Sequence, residues 1–170
     1  MPRLIVCLLM LMLAACTPSR GYRDGALGIP PLAGFDRTAW AGDWVQIGDF
    51  ARHPQTCLPG RLTVQPLAAD RVTVAGRLCT AGTAEELNLH ASIGTGGDLR
   101  LSGAALKQAG APWQVIYQGY RGESLAIATP SGAFGLILSR SGRLSGRDAT
   151  AIRGVFAARG YDLQNLRMLR

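Results

Sequence analysis

The sequence predicts a mainly β protein: an eight-stranded antiparallel up-and-down barrel with one C-terminal α-helix packed on its outside. Three observations predict it. Strand-like runs recur roughly every ten residues between positions 41 and 140, broken by Gly, Pro and Ser. Two cysteines, Cys57 and Cys79, flank one of the resulting hairpins. Beyond the last run, a capped segment repeats its apolar residues at helical spacing.

The chain opens on an apolar leader. Met1-Pro2-Arg3 is basic, and Leu4 to Leu13 is interrupted only by Cys7 among its aliphatics. A run of about ten residues is too short to cross a ~30 Å hydrocarbon core, so it reads as a secretory signal. Leu13-Ala14-Ala15-Cys16 resembles the bacterial lipobox, which implies cleavage before Cys16 and lipid attachment to it. The alternative is a plain signal cleaved near Ala15. By the same resemblance, Thr17 rather than Asp implies outer-membrane anchoring, facing the periplasm of a Gram-negative bacterium. Residues 1–15 are therefore expected to be a cleaved signal peptide, and 16–34 a lipidated N-terminus and flexible tether rich in Gly and Pro. Residues 35–170 are the expected barrel domain.

The expected strands are 43–50, 60–67, 71–79, 86–93, 98–103, 113–120, 123–128 and 133–140. The clearest turns are Gly119-Tyr120-Arg121-Gly122 and Thr129-Pro130-Ser131-Gly132. Folding the second and third strands about Leu67-Ala68-Ala69-Asp70 pairs residues whose numbers total about 137, and Cys57 with Cys79 totals 136. In an oxidising compartment these two are expected to form a disulfide. Ser145 and Asp148 then cap a helix carrying Ala149, Ile152, Val155 and Phe156, which Gly160 ends. Residues 166–169 could add a last strand.

Composition narrows the function. Without Arg3 the mature chain carries 17 basic against 11 acidic residues, all the basic ones Arg except Lys107. No two are adjacent, so nothing resembles a nucleic-acid stripe. His53 and His90 are the only side chains with an ordinary pKa near neutrality. No nucleophile elbow, HExxH, P-loop or CxxC occurs, so no enzyme, metal or cofactor is expected.

Gly42-Asp43-Trp44 matches the G-x-W of the lipocalins, and Ile137-Leu138-Ser139-Arg140 matches the ILSR of their bacterial outer-membrane group. Ala157-Ala158-Arg159-Gly160-Tyr161-Asp162 resembles the segment that closes that group's helix. The chain therefore resembles the bacterial lipoprotein lipocalins over residues 35–50 and 112–168, while 57–110 match poorly. The resemblance implies that Arg140 lies across the Trp44 indole, with Gly42, at the closed end of the barrel. It also implies a hydrophobic ligand, a fatty acid or lysophospholipid, held for storage or transport in the envelope.

Strand alternation from Trp44 and Arg140 gives cavity candidates: Gln46, Phe50, Trp113, Val115, Tyr117, Phe134, Leu136 and Leu138. Plain core filling is the alternative for each apolar one. Val45, Ile47 and Ile137 are expected on the outer face, beneath the helix. A second reading is an interaction barrel resembling the periplasmic proteinase inhibitors, which share a disulfide and an A-G-x-W opening; ILSR and the helix have no place there. The oligomeric state, a homodimer included, is left open.

Overall fold

The computed structural model describes residues 21–80, 82–102 and 112–169; the signal peptide, Cys16 and Lys107 lie outside them. Eight strands follow the expected series: β1 (Gly42–Phe50), β2 (Arg61–Ala68), β3 (Arg71–Thr80), β4 (Thr83–Ile93), β5 (Asp98–Ser102), β6 (Trp113–Gln118), β7 (Ser124–Ala128) and β8 (Gly135–Ser139). Each pairs antiparallel with the next, and β1 pairs with both β8 and β2, which closes the barrel. Closure leaves the backbone few free edges. The β2–β3 register totals 138, Leu62 lying opposite Gly76 and Gln65 opposite Thr73. That places Cys57 and Cys79 within disulfide reach, with Cα atoms 5.7 Å apart, and they are bonded.

Helix α1 (Gly146–Ala158) packs outside the barrel. Ser145 Oγ accepts from the Asp148 N–H at 3.0 Å, as an N-cap does. The Asp148 carboxylate does not return to the cap. It accepts instead from the Tyr117 hydroxyl at 2.7 Å and the Ser124 hydroxyl at 2.9 Å, tying α1 to β6 and β7. A short β9 (Leu166–Met168) then pairs with the upper half of β1, where β2 has not yet begun.

Two apolar cores result. The inner one fills the barrel and includes Trp40, Trp44, Trp113, Leu89, Leu125 and Leu138. The outer one lies between sheet and helix: Ile47, Ile137, Ile152, Phe156 and Tyr161, with Val45 and Val155 beside them. The outer face expected beneath the helix is therefore the face found there.

Two β-bulges upset the expected alternation. On β1, Gln46 faces Leu138 but Gly48 faces Ile137, so Ile47 is the extra residue. On β6, Val115 faces Ile127 but Tyr117 faces Ala126, so Ile116 is extra. Beyond each bulge the faces exchange. Gly48 and Phe50 turn outward, Asp49 turns inward opposite Leu136, and Tyr117 joins the outer core.

The expectation of a flexible tether over 16–34 fails for residues 21–34, which are docked on the barrel. Tyr22 N–H donates to Gly132 O at 2.7 Å, Asp24 N–H to Gly160 O at 2.8 Å, and Leu32 N–H to Gly96 O at 2.8 Å. Arg23 forms an isolated bridge with Tyr161. Its buried guanidinium donates to the carbonyls of Arg159, Pro130 and Leu27. Glycine and proline mark a segment without regular structure, yet its backbone groups found partners on other elements.

Candidate functional site

The ends of the barrel differ in chemistry. At the base, residues Thr38–Trp40 form a 3-10 turn that lays Trp40 beside Trp44, ring centroids 5.8 Å apart. Trp44 Nε1 donates to Trp40 O at 2.8 Å. The Arg140 guanidinium lies 3.8 Å from the Trp44 ring centroid and donates to the carbonyls of Ala39, Ala41 and Asp43. A cation over an indole contributes about 0.5–2 kcal/mol, and each carbonyl adds orientation. Burial draws the Arg140 pKa below its ordinary value, against the pull of Glu123 and Asp43. Gly42 sits at φ +100°, where a Cβ would lie 2.8 Å from Arg140 Nη1. The G-x-W spacing thus serves the arginine as well as the tryptophan.

The mouth is built from the β1–β2 loop, the β3–β4 turn and the β7–β8 turn. Its inner wall is mixed. Trp113 and Phe134 stack with centroids 5.3 Å apart, and Leu78, Leu87 and Leu136 share that interior. Between them point polar side chains that sequence reasoning missed. Asp49 is inward because of the β1 bulge, and its Oδ2 accepts from Gln55. Thr80 and Glu85 follow from the alternation of β3 and β4 with Leu78 and Leu87. Thr80 Oγ1 and Glu85 Oε1 are buried without a hydrogen-bond partner. An unpaired buried polar atom costs about 1–3 kcal/mol, so two in one place are unusual in a stable fold.

Of the cavity candidates, Trp113, Val115, Phe134, Leu136 and Leu138 lie in the inner core. Gln46 points inward, but both ends of its amide are committed. Nε2 donates to Cys79 O at 2.6 Å and Oε1 accepts from Cys79 N–H at 2.7 Å. The side chain thereby stands in for the strand missing between β1 and β3 above Arg61. Phe50 and Tyr117 are not cavity residues. The bulges place Phe50 against Phe156 and Tyr161 outside the barrel, and hold Tyr117 under α1. Burial and the Asp148 hydrogen bond push the Tyr117 pKa up to about 12.

The segment after the helix has a role of its own. Gly160 takes φ +78°, and a Cβ there would crowd Leu27 and Asp24 of the docked arm. Tyr161 then reaches under the β7–β8 turn, its hydroxyl donating to Phe134 O at 2.8 Å and accepting from Thr129 N–H at 3.0 Å. Burial raises its pKa. His90 is exposed on the outer face of β4, and His53 is exposed in the β1–β2 loop. Among the described residues no group of three His, Cys, Asp or Glu side chains is placed to hold a metal ion.

The closed eight-stranded barrel with an outer helix and a sealed base is the lipocalin fold. Lobster apocrustacyanin A1 superposes with a TM-score of 0.55 at 14% identity, over 79% of this chain and 78% of that one. Apocrustacyanin C1 gives the same values. The siderocalin Ex-FABP, described as functioning through dual ligand specificities, superposes with a TM-score of 0.58 at 12% identity, over 77% of this chain and 93% of that one. No protein-family model and no curated protein matches the sequence.

Proposed function

We propose that this chain is a binding protein of the Gram-negative outer membrane, lipidated at Cys16 and facing the periplasm, that takes a hydrophobic ligand into its barrel for storage or transport. The observation that carries the ligand reading is the inner wall of the mouth. There an apolar lining of Trp113, Phe134 and Leu87 meets two buried polar atoms, on Thr80 and Glu85, that the protein does not satisfy. A ligand with an apolar tail and a donor-bearing head would satisfy both. The Glu85 carboxylate favours a lysophospholipid, whose head offers ammonium or hydroxyl hydrogens, over a fatty acid, whose carboxylate it repels. The lipobox and a disulfide of an oxidising compartment support the address.

The inner side chains meet in one contiguous cluster, so an acyl tail has to move some of them. Phe134, 5% exposed, and half-buried Leu101 border the mouth and are the first to move. Burying the tail at about 0.8 kcal/mol per CH₂ supplies the drive.

Displacement of a fluorescent fatty-acid probe from delipidated protein tests the reading, paired with mass spectrometry of lipid retained through native purification. Lysophosphatidylethanolamine is expected to displace the probe at lower concentration than palmitate. Glu85→Gln is expected to narrow that gap several-fold. No probe binding and no retained lipid overturns the reading, and tight protease binding in that case favours the inhibitor-like alternative.

A further inference from the structure

The docked arm fixes where the anchor leaves the barrel. Gly21 packs so closely on the β7–β8 turn that an added Cβ would lie 2.6 Å from Ser131 O, and Tyr22 is hydrogen-bonded to Gly132. From there the arm runs toward the base, where Leu32 meets Gly96 and Asp36 N–H donates to the Gln118 side chain. The first described residue is therefore at the mouth. Cys16 precedes Gly21 by five residues, a contour of at most about 18 Å. The ten residues of β3, at ~3.3 Å each and with a barrel tilt near 40°, make the wall about 25 Å tall. A lipid on Cys16 can reach a bilayer beside the mouth; it cannot reach one lying under the base.

The surface of the mouth suits a bilayer. Its loops 51–59, 80–83 and 129–134 hold no Asp or Glu, and they present Arg52 and the 71%-exposed Leu58. Leu58 can enter the headgroup region while Arg52 meets its anionic phosphates. The turns at the base mix Asp36, Asp70, Asp98 and Glu123 with Arg37, Arg71, Arg121 and Arg143, so it is the reach of the anchor that sets the direction.

We propose that the mouth of the barrel docks on the anionic lipid surface that holds the anchor, so that the ligand opening faces the bilayer. The proposal rests on the lipidation of Cys16 put forward above. The test uses the full-length lipidated protein in vesicles of phosphatidylethanolamine and phosphatidylglycerol with brominated acyl chains. A reporter tryptophan is placed at the mouth as Leu58→Trp or at the base as Tyr120→Trp, the latter replacing a side chain that is 75% exposed. Quenching beyond wild type is expected to be at least twofold greater for Leu58→Trp than for Tyr120→Trp, and Arg52→Glu in the Leu58→Trp background is expected to reduce it. Pro54→Trp replaces Leu58→Trp where that variant does not fold. Protein that fails to float with the vesicles overturns the anchor and this orientation with it. Protein that floats while Tyr120→Trp is quenched as strongly, or while neither reporter is quenched beyond wild type, overturns the orientation alone.

Discussion

The base and the mouth of this barrel are closed by different means. At the base, the Trp44 indole donates to a carbonyl and the Arg140 guanidinium covers its face and donates to three more, leaving the Trp40 Nε1–H buried without a partner. At the mouth, a covalent bond holds a loop over a wall that keeps buried polar atoms without partners. The base commits its charged group to closure. At the mouth, the unpaired atoms of Thr80 and Glu85 lie side by side on the inner wall, where a ligand could complete them, as is common at functional sites.

Substitutions at the two ends can break this contrast. Trp44→Ala is expected to have the largest effect, about 4 kcal/mol, because it empties the base and strips Arg140 of its ring. Urea unfolding followed by circular dichroism measures it. Next comes removal of the disulfide by Cys57→Ser with Cys79→Ser, expected to lose about 3 kcal/mol through the unfolded state. Hydrogen exchange should localise the added opening to residues 51–60, and equal loss of protection around Trp44 would erase the distinction between the ends. Arg140→Ala follows at about 2 kcal/mol, since its side chain is only half-buried and water replaces part of what is lost.

A smaller change sharpens the contrast by its sign. Thr80→Val removes an unpaired buried hydroxyl, so the empty protein should gain about 1 kcal/mol while ligand affinity falls. A loss of stability in the empty protein would mean that the hydroxyl is satisfied within the fold. The least effect is alkaline. Tyr117 is favoured neutral in the folded state, so its contribution is whole below pH 10 and disappears as the pH rises through about 12. Tyr161, raised in the same direction, acts likewise at the mouth. Melting temperatures across this window should fall less steeply in Tyr117→Phe than in wild type.

What the sequence disclosed follows the range of its signals. The positions of the strands, the Ser145 N-cap and the Cys57–Cys79 pairing rest on local signals, and all three stand in the structure. Trp44 and Arg140 were legible only through family resemblance, since nothing in their spacing brings residue 44 to residue 140. The bulges at Ile47 and Ile116 were not legible: an extra residue inside a strand of isoleucines and valines carries no side-chain mark. Each cost one site residue, Phe50 and Tyr117, and the first concealed Asp49. Gln46 faced inward as expected, but its role depended on β2 starting as late as Arg61. The docking of residues 21–34 rests on main-chain partners and on the Arg23 guanidinium, so composition alone read it as a tether.

The bridge between Arg23 and Tyr161 joins two residues at opposite ends of the domain sequence. A chain emerging from its N-terminus holds Arg23 for most of its length before the receiving residue exists. The arm therefore seats last, after the helix and Tyr161 have arrived. A product truncated before Tyr161 could still form much of the barrel, yet its N-terminal arm would lack the bridge that fixes it beside the β7–β8 turn. Completion of the chain, rather than closure of the barrel, is what gives the arm its seat.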